Sequence, residues 1–237
     1  GPDAVIATIT DLVGSLNDEP IAVGVGIPGV VHEGSVLTVP NLENWIDQVD
    51  VGERLETSLG IPIALGNDVS VGLLGEWIAG AANGVDDVLG VWMGTGIGGA
   101  LVLDGRPFNG SRGAAGEIGH VVVQPGGALC GCGRRGCVEA YAGRRSMAAT
   151  AAAMVDAGRM SALFDIRDDE GKTKLTSKVW ARALAEDDEL AIQLFDMAVE
   201  MLGIGVASVI NMTDVEMVGI GGGLVIVPVL IFSFGLQ

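Results

Sequence analysis

The run from Gly113 to Glu139, GAAGEIGHVVVQPGGALCGCGRRGCVE, holds all three cysteines of the chain, Cys130, Cys132 and Cys137, and one of its two histidines, His120. Three thiols and an imidazole so close together make a full tetrahedral donor set for Zn²⁺, and four protein ligands leave no position open for chemistry. The stretch therefore predicts a structural zinc site, to which the surrounding fold must conform. Glycines at 131, 133 and 136 allow the backbone reversals that bring the thiols onto one ion. Ordinary buried cysteines ahead of a helix are the plainer alternative.

Two carboxylates travel with these ligands. Glu117 lies three residues before His120 and Glu139 two residues after Cys137, so closure around an ion carries both towards one place. Fixed anionic acceptors suit a polyhydroxylated ligand, because charge-assisted hydrogen bonds to hydroxyls are short and strong. A sugar fits that description. The second ring nitrogen of a ligating histidine normally needs a partner, so His120 can hold the metal through one nitrogen and a hydroxyl through the other. Solvated surface carboxylates are the competing reading.

CGCGRRGCVE with GEIGH upstream resembles the zinc and sugar-binding signature of the ROK family, whose members are repressors, uncharacterised reading frames and sugar kinases. Within the family the run is most similar to the bacterial ATP-dependent glucokinases, with the N-acetylhexosamine kinases next, and the similarity extends from Val5 to Leu224. The resemblance implies an α/β, actin-like ATPase (ribonuclease H-like) fold of two lobes, with sugar and nucleotide meeting in the interlobe cleft. It implies ATP, Mg²⁺ and a hexose as ligands, and a homo-oligomer, dimer or tetramer.

Composition is consistent with that class. The chain of 237 residues is 49% hydrophobic and only 4% aromatic, as in an Ala/Gly/Val-rich α/β protein long enough to bury a sizeable core. With 13 basic against 30 acidic residues the net charge is −17, which argues against nucleic acid or an anionic membrane as a partner of this segment. No charged n-region precedes an apolar run at the start, so no signal peptide is visible. Thiols kept for metal fit a reducing compartment, and a cytoplasmic location is expected.

Taken in order, Val5, Ile9, Leu12, Val13 and Leu16 give an amphipathic helix over 4–16. Ile21 to Ile27 reads as a buried strand ended by Pro28-Gly29, and Val30 to Val39 as a hairpin turning at Glu33-Gly34. Pro40-Asn41-Leu42 then leads to Asn44-Trp45, a region that lines the sugar pocket in the resembling kinases. Asp50 is placed to cap a helix over 51–59, and Ile61 to Leu65 gives the next strand. Asp68 follows at a strand's end where a helix begins, which is where open α/β folds place their ligands. It is the candidate general base, with the N-cap of that helix as the alternative role. The resemblance assigns Asp68 the proton of the sugar hydroxyl being phosphorylated and makes Asn67 a sugar-binding neighbour.

A connection over Gly80 to Asp87 divides the chain into 1–84, a partial small lobe, and 85–224, a large lobe with the zinc motif. Val88 to Met93 reads as a strand running into Gly94-Thr95-Gly96-Ile97-Gly98-Gly99, with the next strand at Ala100 to Leu103. Glycines around a threonine let backbone N–H groups approach phosphate, though a tight glycine hairpin reads the same way. Matching the family's second phosphate loop makes Gly94, Thr95 and Gly96 the expected phosphate contacts. A helix is expected from Glu139 to Ala157, an exposed polar segment over 165–174, a helix opening at Thr176 or Ser177, and another over 189–209. After a strand at Val215 to Ile220, Gly221, Gly222 and Gly223 match the run that passes close to adenosine in the family.

Two departures from the family pattern stand out. An opening strand with an Asp-x-Gly-Gly-Thr phosphate loop does not precede Val5, and LVIVPVLIFSFGLQ replaces the long helical segment expected after Leu224. The tail over 225–237 is shorter than a membrane span and interrupted by Pro228, so it reads as an aberrant or truncated end. Two functions are carried forward: phosphorylation of a hexose, glucose first and N-acetylhexosamines second, and sugar-responsive transcriptional regulation by a chain lacking its N-terminal DNA-binding domain. Residues 1–237 alone are expected to turn over poorly.

Overall fold

β5 (Val88–Met93) is the strand on which the second half of the chain is assembled. The computed structural model describes residues 1–17, 20–39 and 44–222. The first four residues of VLGVWM are buried, as an apolar run is when both faces of its strand are covered. β6 (Ile97–Leu103) pairs antiparallel with β5, β7 (Arg106–Pro107) pairs antiparallel with β6, and β8 (Met217–Gly222) runs parallel to β5. The sheet order is β7-β6-β5-β8. β6 turns into β7 at Asp104-Gly105, whose φ values of 51° and 63° are the left-handed pair a two-residue hairpin needs.

The first half contains α1 (Pro2–Gly14), β1 (Val23–Ile27), β2 (Val30–His32), β3 (Ser35–Thr38), α2 (Val51–Leu59), β4 (Ile63–Asn67) and α3 (Asp68–Ala79). β1 and β4 are parallel, with Ile27 opposite Asn67, and β2 and β3 form the expected hairpin around Glu33-Gly34. Ile6, Ile27, Val36, Val51 and Leu55 make their core, with Trp45 packed against it. α1 differs from its expected face: Val5, Ile6 and Ile9 reach this core, but Leu12 and Leu16 extend past it and are exposed. Asp50 stands at the start of α2 without capping it, because its carboxylate accepts the Ser35 hydroxyl instead. Residues 40–43 of the expected sugar-pocket segment lie outside the described residues.

α3 ties the halves together. Its Leu73 is buried with Val88, Ala100, Val102 and Met217. Trp92 of β5 lies between α3 and β8: a Cβ on Gly72 would stand 3.3 Å from the indole, and one on Gly221 3.2 Å. Glycine at both positions lets helix and strand close on the same ring.

The remaining elements are a 3₁₀ turn at Ile118–His120, α4 (Glu139–Ala142), α5 (Arg144–Asp156), α6 (Leu163–Asp169), α7 (Ser177–Ala185) and α8 (Glu189–Thr213). The single helix expected from Glu139 is two helices. It breaks at Gly143, which is extended (ψ 131°) and whose Cβ would lie 2.8 Å from the Glu139 carbonyl oxygen. The expected exposed segment over 165–174 is partly α6, which buries Leu163 and Ile166. Thr176 caps α7 as expected, and Asp188 caps α8 by accepting the Ala191 N–H. Among the described residues α8 is the one helix long and apolar enough to cross a membrane. Its Leu190 and Leu194 pack in one core and its Ala198 and Leu202 in the next, as the shared helix of a folded body.

Candidate metal centre and active site

The four expected metal ligands converge. The donor atoms of His120, Cys130, Cys132 and Cys137 all lie within 4.8 Å of one another. Cys132 Sγ and Cys137 Sγ are 3.8 Å apart, and Cys130 Sγ is 3.6 Å from His120 Nδ1. Tetrahedral zinc with ordinary Zn–S and Zn–N lengths requires sulfur–sulfur edges of about 3.8 Å and sulfur–nitrogen edges of about 3.6 Å. The donor set therefore fits zinc, and Nδ1 is the nitrogen that would hold it.

Backbone bonds shape this knuckle. Cys130 N–H donates to Arg134 O, Gly133 N–H to Cys130 O and Gly136 N–H to Ala128 O, at 2.8, 2.9 and 2.8 Å. Gly136 has φ 81° and would put a Cβ 1.7 Å from Gln124 O, so glycine is required there. Gly131 needs no such freedom: its φ is ordinary and nothing stands within 4 Å of where its Cβ would be. The thiols differ in environment. Hydrogen bonds from the Arg134 backbone and side chain lower Cys132 to about 6, whereas burial raises Cys130 and pushes Cys137 up to about 12.

Glu117 and His120 reach this place because the 3₁₀ turn sits directly on β6. A Cβ on Gly119 would lie 2.1 Å from Ile97 O, and one on Gly99 2.3 Å from Gly116 O, so glycines on both sides permit the contact. Burial raises the Glu117 carboxyl above its usual range. His120 opposes the rise, and the Glu139 and Asp68 carboxylates add to it. The charges of both other acids thus act on Glu117.

Asp68 opens α3, but Asn67 is the residue that caps it. Asn67 Oδ1 accepts the N–H groups of Val69 and Ser70 at 2.9 and 3.2 Å, and its Nδ2 donates to Gly29 O at 2.8 Å. Its Nδ2 makes no second hydrogen bond among the described residues. Among the described residues Asp68 Oδ1 accepts only the adjacent Val69 N–H, at 3.0 Å, and the residue is exposed. Val69 in turn packs on the start of β6, where a Cβ on Gly98 would lie 2.6 Å from its methyl carbon.

The glycine loop is shorter than its sequence suggests. Gly98 and Gly99 belong to β6, where they make room for Val69 and Gly116, so the loop proper is Gly94–Thr95–Gly96. Gly94 N–H donates to Gly96 O, Gly94 O accepts Arg144 N–H at 3.2 Å and Thr95 O accepts Arg145 N–H at 3.1 Å. None of these bonds uses the N–H of Thr95 or Gly96. Gly221 and Gly222 end β8 opposite Trp92 and Met93, so the parallel strands deliver the loop and the glycine run to one edge of the sheet. Gly223 and the tail over 225–237 lie outside the described residues.

Glu139 joins the two constellations, which the sequence alone did not reveal. Its Oε2 accepts the Ile97 N–H at 2.9 Å, at the end of the glycine loop, while Oε1 faces Cys130 Sγ at 3.9 Å. Gly143, Arg144 and Arg145, also unforeseen, let the chain turn from Glu139 back onto the loop. The available signal was a glycine four residues after Glu139, inside an otherwise helical run.

Comparison with known proteins gives the family. Residues 2–233 match the ROK family. A glucokinase of Halalkalibacterium halodurans is 34% identical over 86% of this chain and 62% of its own length, so the chain spans less than two thirds of that relative. A xylose repressor of Caldicellulosiruptor bescii is 29% identical over 85% of this chain and 50% of its own. The crystal structure of a ROK family glucokinase from Streptomyces griseus, in complex with glucose and AMPPNP, superposes with a TM-score of 0.78 at 29% identity, covering 94% of this chain and 72% of that one. The expected α/β, actin-like ATPase fold is thereby met. The match over residues 2–233, on this fold, makes the chain a member of the ROK family.

Proposed function

We propose that the chain is the sugar-binding and phosphate-binding part of an ATP-dependent hexose kinase that phosphorylates the 6-hydroxyl of glucose, with residues 1–84 as a partial small lobe and 85–224 as the large lobe. The observation that carries this is Glu139, whose carboxylate reaches from Cys130 of the Cys/His cluster to the Ile97 N–H at the end of the glycine loop, at 3.9 and 2.9 Å. Exposure and the absence of a capping duty leave the Asp68 carboxylate free to accept the proton of the attacking hydroxyl, a role in which geometry matters more than a shifted pKa. Glu117, His120 through Nε2, Glu139 and the remaining Asn67 proton orient the ring, and fixed orientation lowers the entropic barrier. The N–H groups of Thr95 and Gly96 meet the transferred phosphate, and Gly221 and Gly222 pass beside the adenosine.

Zinc, when bound, supplies rigidity alone, since its four ligands leave no open position. Mg²⁺ supplies charge neutralisation for the phosphates. A reducing cytoplasm suits three unpaired thiols, and a homo-oligomer belongs to the same proposal.

The repressor match favours a second reading, sugar-responsive regulation. Regulation needs the sugar pocket but not an exposed base at Asp68 or free amides in the glycine loop. A coupled kinase assay on the complete reading frame with glucose, N-acetylglucosamine and N-acetylmannosamine decides. Glucose-dependent ADP release is expected; saturable sugar binding without turnover on any of the three would support the regulator instead.

A further inference from the structure

Glu139 has two oxygens with two different surroundings. Oε2 accepts the Ile97 N–H, and the fit is close: a Cβ on Gly96 would lie 2.1 Å from that oxygen. Among the described residues Oε1 has only a long sulfur contact, 3.9 Å to Cys130 Sγ. The segment carrying this carboxylate begins at a metal ligand, Cys137, and ends in the two amides, of Arg144 and Arg145, that hold the carbonyls of Gly94 and Thr95. Metal knuckle and phosphate loop are thus attached to opposite ends of nine residues, with one carboxylate touching the loop from the middle.

We propose that Glu139 is a shared positioning residue, one oxygen reading a sugar hydroxyl and the other setting the phosphate loop, so that sugar and nucleotide binding are coupled through it. This rests on the hexose kinase reading above and deepens it. A hydroxyl bonded to Oε1 fixes the carboxylate plane. A fixed plane holds Oε2 on the Ile97 N–H, and the loop is then ordered before nucleotide arrives, so the nucleotide no longer bears the cost of ordering it. Linkage requires the reciprocal effect, nucleotide tightening sugar by the same factor.

The test is AMPPNP affinity with and without saturating glucose, by calorimetry on the zinc-loaded protein. Glucose is expected to tighten AMPPNP by about tenfold, inside the usual range for coupled sites. Glu139→Asp, one methylene too short to reach Ile97, and Gly96→Ala, which pushes the carboxylate off the loop, should each reduce that factor below about twofold while zinc stays at one per chain. Gly96→Ala leaves the carboxylate present, so glucose should still bind. If it abolishes nucleotide binding, Glu139→Asp decides, since its loop glycines are intact. Both affinities falling with the coupling factor unchanged would mark Glu139 as merely structural and overturn the proposal. An uncoupled wild type would overturn it too. Absence of any saturable sugar binding would overturn the kinase reading itself, a different result.

Discussion

Cys132 Sγ and Cys137 Sγ stand 3.8 Å apart, the edge of a zinc–thiolate tetrahedron and far longer than the bond of about 2.0 Å in a disulfide. The chain is thus arranged to close on an ion rather than on itself. One zinc per chain is expected by elemental analysis. Its removal with a chelator at neutral pH should lower the melting temperature by on the order of 10 °C, since metal binding adds directly to folding free energy. A chelated protein with unchanged melting would show that the knuckle holds without metal.

Gly136→Ala should damage the same site from the backbone. The added carbon would fall 1.7 Å from Gln124 O at a residue with φ 81°. Forced displacement of this kind costs about 1–3 kcal/mol, and zinc should be lost at lower chelator concentration than in the wild type. Gly131→Ala, with open space around it, should leave zinc retention unchanged.

How much of this was legible in the sequence follows from range. Spacing between neighbours carried the clustering of His120 with the three cysteines, the hairpin at Glu33-Gly34 and the strand at Val88 to Met93, because each is decided by residues close in the chain. Asn67 as the cap of α3 was missed, because two adjacent polar residues at a helix start compete and only the strand register, Ile27 opposite Asn67, decides between them. The bond from Ile97 N–H to Glu139 spans 42 positions, and no local pattern encodes it. Gly98 and Gly99 read as loop glycines because a missing side chain looks the same whether phosphate or Val69 fills the space.

Asn67→Ala should cost about 1 kcal/mol for the lost cap, and more through the unpaired Gly29 carbonyl, lowering the melting temperature by about 2–4 °C or somewhat more. Asn67→Asp keeps the capping oxygen and loses only the donor to Gly29 O, so thermal unfolding should place it between the two. Equal melting of all three proteins would remove the capping role.

Glu117 gives a pH dependence with a definite sign. Its folded pKa is raised, chiefly by burial. The stability it contributes is therefore fully present below its unfolded value near 4.5 and is lost as pH rises through the raised folded value. Glu117→Gln should match the wild type near pH 4.5 and become progressively more stable than it towards pH 8, in parallel urea melts. Zinc loss at low pH affects both proteins and drops out of the difference. A difference constant with pH would mean that Glu117 is not held in the buried, acid-crowded environment described.

Asp68→Asn in the complete, zinc-loaded protein tests the central claim most directly, by the rate of glucose-dependent ADP release at saturating ATP. Loss of a positioned base predicts a fall of about 10²–10⁴-fold, with zinc content and glucose affinity close to wild type. Turnover within a few-fold of the wild type would contradict Asp68 as the proton acceptor.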